Sequence, residues 1–229
     1  MTTVSIFVNC GKHFSMSQNL HEYRKSYEKG ELSQENASKN PFEQFQNWFE
    51  FAEQSGEVDE VNAMTLTTIG IDGFPRGRVV LLKEFSEKGF ILYTNYDSEK
   101  GVSIKNNPNV CISFFWPTLE RQIIIKGIAE KISEEKSTEY FHSRPKGSQL
   151  GAFVSEQSKK IINRKILEEN LKALEEKFQN KVIPRPINWG GYIIAPIEFE
   201  FWQGRKNRLH DRIQYQKDGN NWKTSRLQP

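Results

Sequence analysis

The sequence predicts a mainly β fold with added α-helices, in which an antiparallel sheet closes into a barrel or split barrel and peripheral helices lie on its outside. Two observations predict this class. Short runs of alternating apolar and polar residues fill 63–132, with turn signals such as Asp72-Gly73 and Lys88-Gly89 between them, and strands joined by short turns pair antiparallel. In addition, the apolar content is a modest 36%, but it includes 16 Phe, 7 Tyr and 5 Trp. These large rings bury much apolar area per residue.

Length and charge limit the remaining possibilities. A chain of 229 residues supports one core, so we expect a single domain over 23–229 and an N-terminal extension, 1–22, that is disordered. A net charge of +3 does not indicate a nucleic-acid or membrane surface. Cys10 and Cys111 are far apart and the histidines lack ligand spacing, which predicts neither a disulfide nor a metal site and indicates a reduced, cytoplasmic protein.

The first half of the chain begins with a helix and continues as a meander. Asn40 is a suitable cap, Pro41 fits the first turn, and Glu43 completes a capping-box pattern. Phe42, Phe45, Phe49 and Ala52 then recur on one face until Gly56, which predicts core contacts. Strands are predicted at 64–69, 76–85, 90–94, 109–116 and 121–132, with a short helix at 98–106.

The second half adds two amphipathic helices, at 133–142 and 159–178. An aromatic strand follows at 197–204, and alternation continues through 208–216 to the hairpin signal Asp218-Gly219. A last short strand begins at Trp222.

Arg208, His210 and Arg212 form the most informative pattern in the chain. In an extended strand alternate side chains share a face, so these cations would lie side by side and would need an anion such as a phosphate or an electron-rich cofactor. The alternative is an exposed edge strand whose charges are solvated. The strand-like flanks favour the first interpretation.

Further groups of residues suggest phosphate binding. Arg78 and Lys83 end an apolar run, but their odd separation predicts opposite faces of a regular strand, so basic residues extending to solvent are the simpler interpretation. Tyr93, Thr94 and Lys100 surround a helix start, which is either a phosphate cradle or an ordinary cap by Asp97 or Ser98. A third group consists of Tyr140, His142, Arg144, Lys146 and Ser148, with Gln157-Ser158 at a later helix start.

At these residues the chain resembles the pyridoxine/pyridoxamine 5'-phosphate oxidase family, from about Tyr23 to the C-terminus. The segments that carry the resemblance are Arg78-Val79-Val80-Leu81-Leu82-Lys83, Tyr93-Thr94-Asn95, Thr118-Leu119-Glu120-Arg121-Gln122, Tyr140-Phe141-His142-Ser143-Arg144-Pro145, Trp189-Gly190-Gly191, Glu200-Phe201-Trp202-Gln203-Gly204 and Arg208-Leu209-His210-Asp211-Arg212. The resemblance implies an FMN-binding split barrel.

The resemblance also implies residue roles. FMN contacts are expected at Arg78, Val79, Val80, Leu81, Leu82, Lys83, Tyr93, Thr94, Lys100, Gln122, Gln157, Ser158, Trp189 and Arg212. Substrate contacts are expected at Lys83, Tyr140, Arg144 and Ser148 around the phosphate, at Arg208, Leu209 and His210 near the reacting carbon, and at Arg24 and Tyr27 in a closing N-terminal segment. Arg208 and His210 are the expected catalytic residues. Glu99 departs from the basic residue common in the family, and we expect it to turn outward.

The implied reaction is FMN-dependent oxidation of pyridoxamine or pyridoxine 5'-phosphate to pyridoxal 5'-phosphate, with O2 as acceptor and H2O2 as product. The implied assembly is a homodimer with FMN at the subunit interface. Two alternatives remain at this point: a split-barrel flavin reductase and a non-enzymatic protein that binds FMN or pyridoxal phosphate.

Overall fold

A computed structural model describes residues 19–229 of the chain. Most of the expected disordered extension therefore lies outside the described residues. The helices are α1 Pro41–Ser55, α2 Glu99–Asn106, α3 Glu134–Ser143, α4 Lys146–Val154 and α5 Arg164–Lys177. The strands are β1 Ala63–Ile69, β2 Pro75–Leu81, β3 Glu84–Ser86, β4 Gly89–Asn95, β5 Asn109–Trp116, β6 Arg121–Lys131, β7 Trp189–Gln203, β8 Asp211–Asp218 and β9 Asn221–Leu227. Within 19–229, no helix has the length and apolar character needed to cross a membrane.

The strands form one nine-stranded sheet in which β7 is the central element. Its 15 residues pair with β6 along one edge. On the other edge the first half of β7 pairs with β4 and the second half with β8. A register shift at Lys126/Gly127 bends the β6–β7 ladder, as β-bulges do. All neighbouring strands are antiparallel and the sheet curls into a half-barrel, which confirms the predicted fold class.

Helix α1 closes the concave side of the sheet with the aromatic face that the sequence predicted. Phe45 and Ala52 are fully buried, and Trp48 is 6% exposed. The Phe45 ring lies edge-on to Phe90 and Phe114, with centroids 4.8 and 5.3 Å away. Such edge-to-face pairs add to the burial of apolar area. Phe45 and Trp48 are therefore core residues, Phe42 and Phe49 are partly buried against this core, and Phe51 is exposed.

The ends of α1 follow from local chemistry. The Asn40 side chain accepts a hydrogen bond from the Phe42 amide, and Gly56 ends the helix with a φ of 64°, a left-handed conformation that suits glycine. Glu43 does not complete the expected capping box. Instead it accepts from the Ser38 hydroxyl at 2.6 Å, and that hydroxyl accepts from the Asn40 amide.

Several predicted boundaries are wrong. The strand expected over 76–85 ends at Leu81, because Leu82 turns into the core, where it is 4% exposed. The helix expected from 159 begins at Arg164, since the Asn163 side chain caps it. Helix α4 was not predicted, because its start at Lys146 directly follows Pro145 and resembled a loop. It packs in a second small core of Phe141, Leu150, Phe178, Ile183 and Trp189.

Phe45→Ala should lower the free energy of unfolding by about 3–5 kcal/mol, because it leaves a cavity in a fully buried site. Urea denaturation of the purified protein measures the effect. The matched control is Phe74→Ala, at a side chain that is 73% exposed, where we expect a change below about 0.5 kcal/mol. Equal effects at both positions would contradict the assignment of Phe45 to the core.

Candidate functional site

A groove of about 590 Å³ lies where β2, β4 and the start of α2 meet the α3–α4 connection. Most of the residues predicted to bind phosphates line it. Its walls are formed by Arg78, Val79, Val80, Leu81, Lys83, Tyr93, Thr94, Asn95, Lys100, Tyr140, Arg144, Pro145, Ser148, Gln157 and Trp189. The structure therefore brings the three separate sequence groups together at one place.

The prediction that Arg78 and Lys83 face opposite sides is wrong. It assumed one regular strand, but β2 ends at Leu81 and the chain turns before Lys83. The Lys83 amide then donates to the Ile91 carbonyl of β4 at 2.9 Å. Both cations consequently line the same groove, whereas Leu82, predicted to contact FMN, lies in the core.

Two cations in this groove are partly or fully withdrawn from water. Lys100 is 7% exposed, and its ammonium lies 3.4 Å from the Ser98 hydroxyl. Arg78 donates to the Thr68 hydroxyl at 2.8 Å and to the Leu66 carbonyl. Burial lowers the pKa of Lys100, and nearby Arg78 lowers it further while Glu99 opposes the shift. Within 19–229 neither cation has a carboxylate partner, so the pair favours a bound anion.

The start of α2 has both an ordinary helix cap and a cation that faces the groove, the two alternatives that the sequence left open. Ser98 is the N-cap, with its hydroxyl accepting from the Gly101 amide, while Lys100 faces the groove. Glu99 forms an ion pair with Arg76 and does not line the groove. The expected outward orientation of Glu99 is therefore confirmed. Thr94, beside this helix start, donates its hydroxyl hydrogen bond to Gln157 at 3.3 Å.

A stack of flat side chains forms the opposite wall. The rings of Tyr93 and Tyr140 are 3.8 Å apart and nearly parallel, and Trp189 continues the stack 5.6 Å from Tyr93. Burial, followed by the charge of Glu84, raises the pKa of Tyr93 to about 12. This tyrosine therefore stays protonated at neutral pH and presents a neutral hydroxyl group.

Arg144 lies across this stack and provides an unused donor. Its guanidinium sits 4.6 Å above the Trp189 ring. Its Nη1 atom is buried and has no hydrogen-bond partner among the described residues. Burial lowers the pKa of Arg144, although nearby Tyr140 opposes the shift. A buried guanidinium nitrogen without an acceptor is costly, so an anionic ligand at this point would satisfy it.

Two residues predicted alongside Arg144 have other roles. The Nε2 atom of His142 lies 3.1 Å from the Ile183 carbonyl, and Lys146 donates to the Gln179 carbonyl at 2.7 Å. Both contacts hold the 179–183 segment against α3 and α4. Neither side chain lines the groove.

Arg185 supports the aromatic wall and was missed by sequence reasoning. Its guanidinium donates to the Trp189 carbonyl at 2.5 Å and to the Thr138 hydroxyl at 2.9 Å. It thereby joins the start of β7 to α3, the elements that carry Trp189 and Tyr140. The available signal was a cation between Pro184 and Pro186 just before an aromatic strand.

The remaining predicted residues lie on a second surface of the chain. Gln122, Trp202 and Arg212 are register partners across β6, β7 and β8. Their sequence neighbours Ile123, Phe201 and Ile213 are fully buried. Since side chains alternate along strands, the first three residues form a row on the face opposite the core.

The prediction that Arg208, His210 and Arg212 lie on one face of an extended strand is wrong. Arg208 lies in a short 3-10 turn, Lys206–Arg208, with a φ of 62°, and β8 begins only at Asp211. Arg212 already has its anion within the chain, because its guanidinium makes two hydrogen bonds with Glu200, at 2.9 and 3.0 Å. The three cations therefore do not share one free anion.

His210 is held as a neutral imidazole beside aromatic rings. Its Nδ1 atom accepts a hydrogen bond from the Arg205 amide at 3.1 Å. Its ring lies 4.7 Å from Trp202 and 5.7 Å from Tyr27. Burial lowers the pKa of His210, Arg208 lowers it further, and Asp211 opposes the shift. Burial is therefore the larger cause of the lowered pKa, and the charge of Arg208 is the smaller one.

The last predicted positions lie away from the groove. Leu209 is 67% exposed and borders a surface pocket with Tyr27. Arg24 is exposed and bonds the His21 carbonyl. Ser158, with a φ of 75°, lines a separate pocket near the start of α5. One chain therefore carries two separate sets of predicted site residues. The first set lies in the groove. The second lies around His210 and the row formed by Gln122, Trp202 and Arg212, here called the Trp202 row.

Comparison with known proteins gives this arrangement a context. Residues 51–178 match the family described as pyridoxamine 5'-phosphate oxidase, and residues 189–229 match the pyridoxine 5'-phosphate oxidase C-terminal dimerisation region. The chain belongs to the pyridoxamine 5'-phosphate oxidase family. Within the second set, the residues from Trp202 to Arg212 fall within the dimerisation region, whereas Gln122 lies in the first matched segment.

Relatives cover nearly the whole chain. It is 60% identical to the pyridoxine/pyridoxamine 5'-phosphate oxidase of Flavobacterium johnsoniae over 91% of this chain and 98% of that protein. It is 50% identical to the protein of the same name from Leptospira interrogans, over 93% of this chain and 100% of that protein. Among solved structures, PhzG from Burkholderia lata in complex with tetrahydrophenazine-1-carboxylic acid aligns with a TM-score of 0.80 and 29% sequence identity. The alignment covers 85% of this chain and 95% of that chain.

The chain is an oxidoreductase of this family, and the residues of the groove fit FMN, the cofactor that the sequence resemblance implies. FMN carries a phosphate and a flat ring system. The groove offers Arg78 and Lys100 without carboxylate partners among the described residues, and beside them a wall of stacked rings. Within 19–229, no cluster of His, Cys, Asp or Glu has the arrangement of a metal site.

Arg185→Ala should loosen the aromatic wall. Removing a buried guanidinium with several hydrogen bonds should lower the free energy of unfolding by about 2–4 kcal/mol, and it should weaken the near-ultraviolet circular dichroism of the Tyr93, Tyr140 and Trp189 stack. Arg164→Ala is the control, because this side chain is 86% exposed and, among the described residues, pairs only with Glu168. An unchanged aromatic spectrum in Arg185→Ala would refute the supporting role.

Proposed function

We propose that the chain oxidises pyridoxamine 5'-phosphate and pyridoxine 5'-phosphate to pyridoxal 5'-phosphate, with O2 as electron acceptor and H2O2 as product. The observation that carries this proposal is the groove, where Arg78, Lys83, Lys100 and Arg144 face one another beside stacked rings. Four cations exceed the need of one phosphate. Two phosphorylated flat molecules, cofactor and substrate, account for the set.

We further propose a homodimer with FMN at the subunit interface. In support, the groove and the set around His210 line different surfaces of one chain, and the part of the second set from Trp202 to Arg212 lies in the segment that matches the family's dimerisation region. A partner's Trp202 row laid against the groove would complete the site. We also propose a cytoplasmic location, which the two widely separated cysteines of the sequence support.

The residues divide into tasks. Arg78, Thr94, Lys100 and Gln157 would hold the FMN phosphate, and Gln122 and Arg212 would approach its ring from the partner. Lys83, Tyr140, Arg144 and Ser148 would anchor the substrate phosphate, which fixes the position of the pyridine ring. FMN when bound supplies the two-electron redox chemistry. Arg208 would cover the substrate, and neutral His210 would orient it or accept a proton.

The deciding experiment uses the purified protein. A flavin absorption spectrum should be present, and pyridoxamine 5'-phosphate in air should yield pyridoxal 5'-phosphate and H2O2 in equal amounts. Consumption of NAD(P)H without turnover of either B6 substrate would instead indicate a flavin reductase. Tight ligand binding without peroxide would indicate a carrier protein.

Arg144→Ala should raise the KM for pyridoxamine 5'-phosphate by about 10- to 100-fold, because a charge-assisted phosphate contact contributes about 1.5–3 kcal/mol. The kcat should change little, since the contact is present in ground and transition states alike. Steady-state kinetics at saturating O2 measure both constants. Arg164→Ala, on an exposed helix face, is the control, and a large fall in kcat with unchanged KM would contradict the assignment.

His210 should set the acid side of the pH profile. Because burial and Arg208 lower the pKa of His210, its neutral form is lost only as the pH falls through that lowered value. The dependence of kcat/KM on pH in the wild type should show this inflection, and His210→Asn should lack it. An identical profile in both proteins would exclude a titrating role for His210.

A further inference from the structure

A buried carboxylate in the turn between β5 and β6 binds the N-terminal segment. The Glu120 side chain is 3% exposed, and its Oε2 atom accepts hydrogen bonds from the amides of Glu28 and Lys29 at 2.6 and 2.9 Å. The ammonium of Lys25, itself 60% exposed, lies 3.8 Å from the other carboxylate oxygen. Backbone amides that bond a buried carboxylate make strong contacts, because the charge would otherwise be left unsatisfied.

The backbone of Glu120 joins the same turn to the loop that precedes His210. Its carbonyl accepts from the Gly204 amide at 2.8 Å and from the Gln203 side chain at 3.2 Å. Its φ of 56° lies in the left-handed region, which is uncommon for residues other than glycine. One residue thus links the N-terminal segment, the β5–β6 turn and the end of β7.

Tyr27 directly precedes the bound amides and contacts the groups around His210. Its ring lies 5.6 Å from Trp202 and 5.7 Å from His210. It also packs on Gly204, where an added Cβ would lie 2.8 Å from the Tyr27 Cβ and Cγ atoms. The position of Tyr27 therefore depends on how the adjacent backbone is held.

We infer that Glu120 is a positioning residue: by binding the Glu28 and Lys29 amides it holds Tyr27 against His210, and so shapes the substrate side of the site. This inference rests on the proposed function, in which His210 faces the substrate. A second tether, from the Leu32 amide to Asp211 at 3.0 Å, holds the end of the segment. Because Asp211 also pairs with Arg205 and Arg226, Glu120 is the more specific position to test.

Glu120→Gln, which keeps the shape and removes the charge, should release the segment. Trypsin treatment of the full-length, FMN-loaded protein, followed by mass spectrometry, measures cleavage after Lys25 and Lys29. We expect cleavage about 10- to 100-fold faster than in the wild type, because the Gln oxygen can still accept from both amides but each charge-assisted hydrogen bond becomes a weaker neutral one. The control is Glu31→Gln in the same segment, which is 69% exposed and pairs only with Arg205 among the described residues, and should leave the rate unchanged.

A second measurement tests whether Glu120 acts through Tyr27. In Glu120→Gln the pKa of His210, followed by NMR, should rise, because the ring loses the cover of Tyr27 while Arg208 and Asp211 remain in place. The KM for pyridoxamine 5'-phosphate should rise as well. In a Tyr27→Ala background, Glu120→Gln should cause no further change in either quantity.

The outcomes separate this inference from the proposed function. Wild-type cleavage and a wild-type pKa of His210 in Glu120→Gln would overturn it, as would undiminished effects in the Tyr27→Ala background. If Glu120→Gln does not fold, hydrogen exchange in the wild type decides: amides of Glu28 and Lys29 no better protected than that of Ser26 would overturn it. Cleavage and NMR need no turnover, so a lack of oxidase activity alone would reject only the proposed function.

Discussion

Positive charge without a carboxylate partner within residues 19–229 is the constraint on which the candidate site depends. Lys100 is almost fully buried, Arg78 is fixed by neutral acceptors, and Arg144 has a buried nitrogen without an acceptor among the described residues. Burying cations costs free energy unless an opposite charge is close. A phosphorylated ligand, as proposed for this groove, would offset this cost on binding, and the same cost would favour anions over neutral ligands.

The central strand explains why the predicted residues form two sets. Strand β7 pairs with β4 at one end and β8 at the other, so the sheet presents one end to the groove and the other to the Trp202 row. Trp189, at the start of β7, and Trp202, near its end, are separated by most of a 15-residue strand. At about 3.3 Å per residue, this separation is too long for both ends to contact one ligand. The proposed dimer resolves the difficulty, since each groove would meet the second set of its partner.

Sequence reasoning predicted the fold class and the α1 core because both follow from short-range pattern. Alternation, turn residues and the Asn40 cap act over a few residues and are visible in the sequence. The prediction that Arg78 and Lys83 lie on opposite faces assumed one regular strand between them. It failed because tertiary packing sets where a strand ends, and here Leu82 turns into the core. Arg208 was misplaced for a similar reason: its left-handed backbone depends on the loop that surrounds it.

The site illustrates how counterions distinguish arginines of identical chemistry. Arg212 makes a bidentate pair with Glu200, so its guanidinium is already oriented and its charge is largely balanced within the chain. Arg144 stacks on Trp189 and keeps a donor free. The sequence could not separate the two, because Glu200 reaches Arg212 only through the β7–β8 register. A donor left unsatisfied after folding is available to a ligand, whereas a donor satisfied by the fold serves to fix the geometry around it.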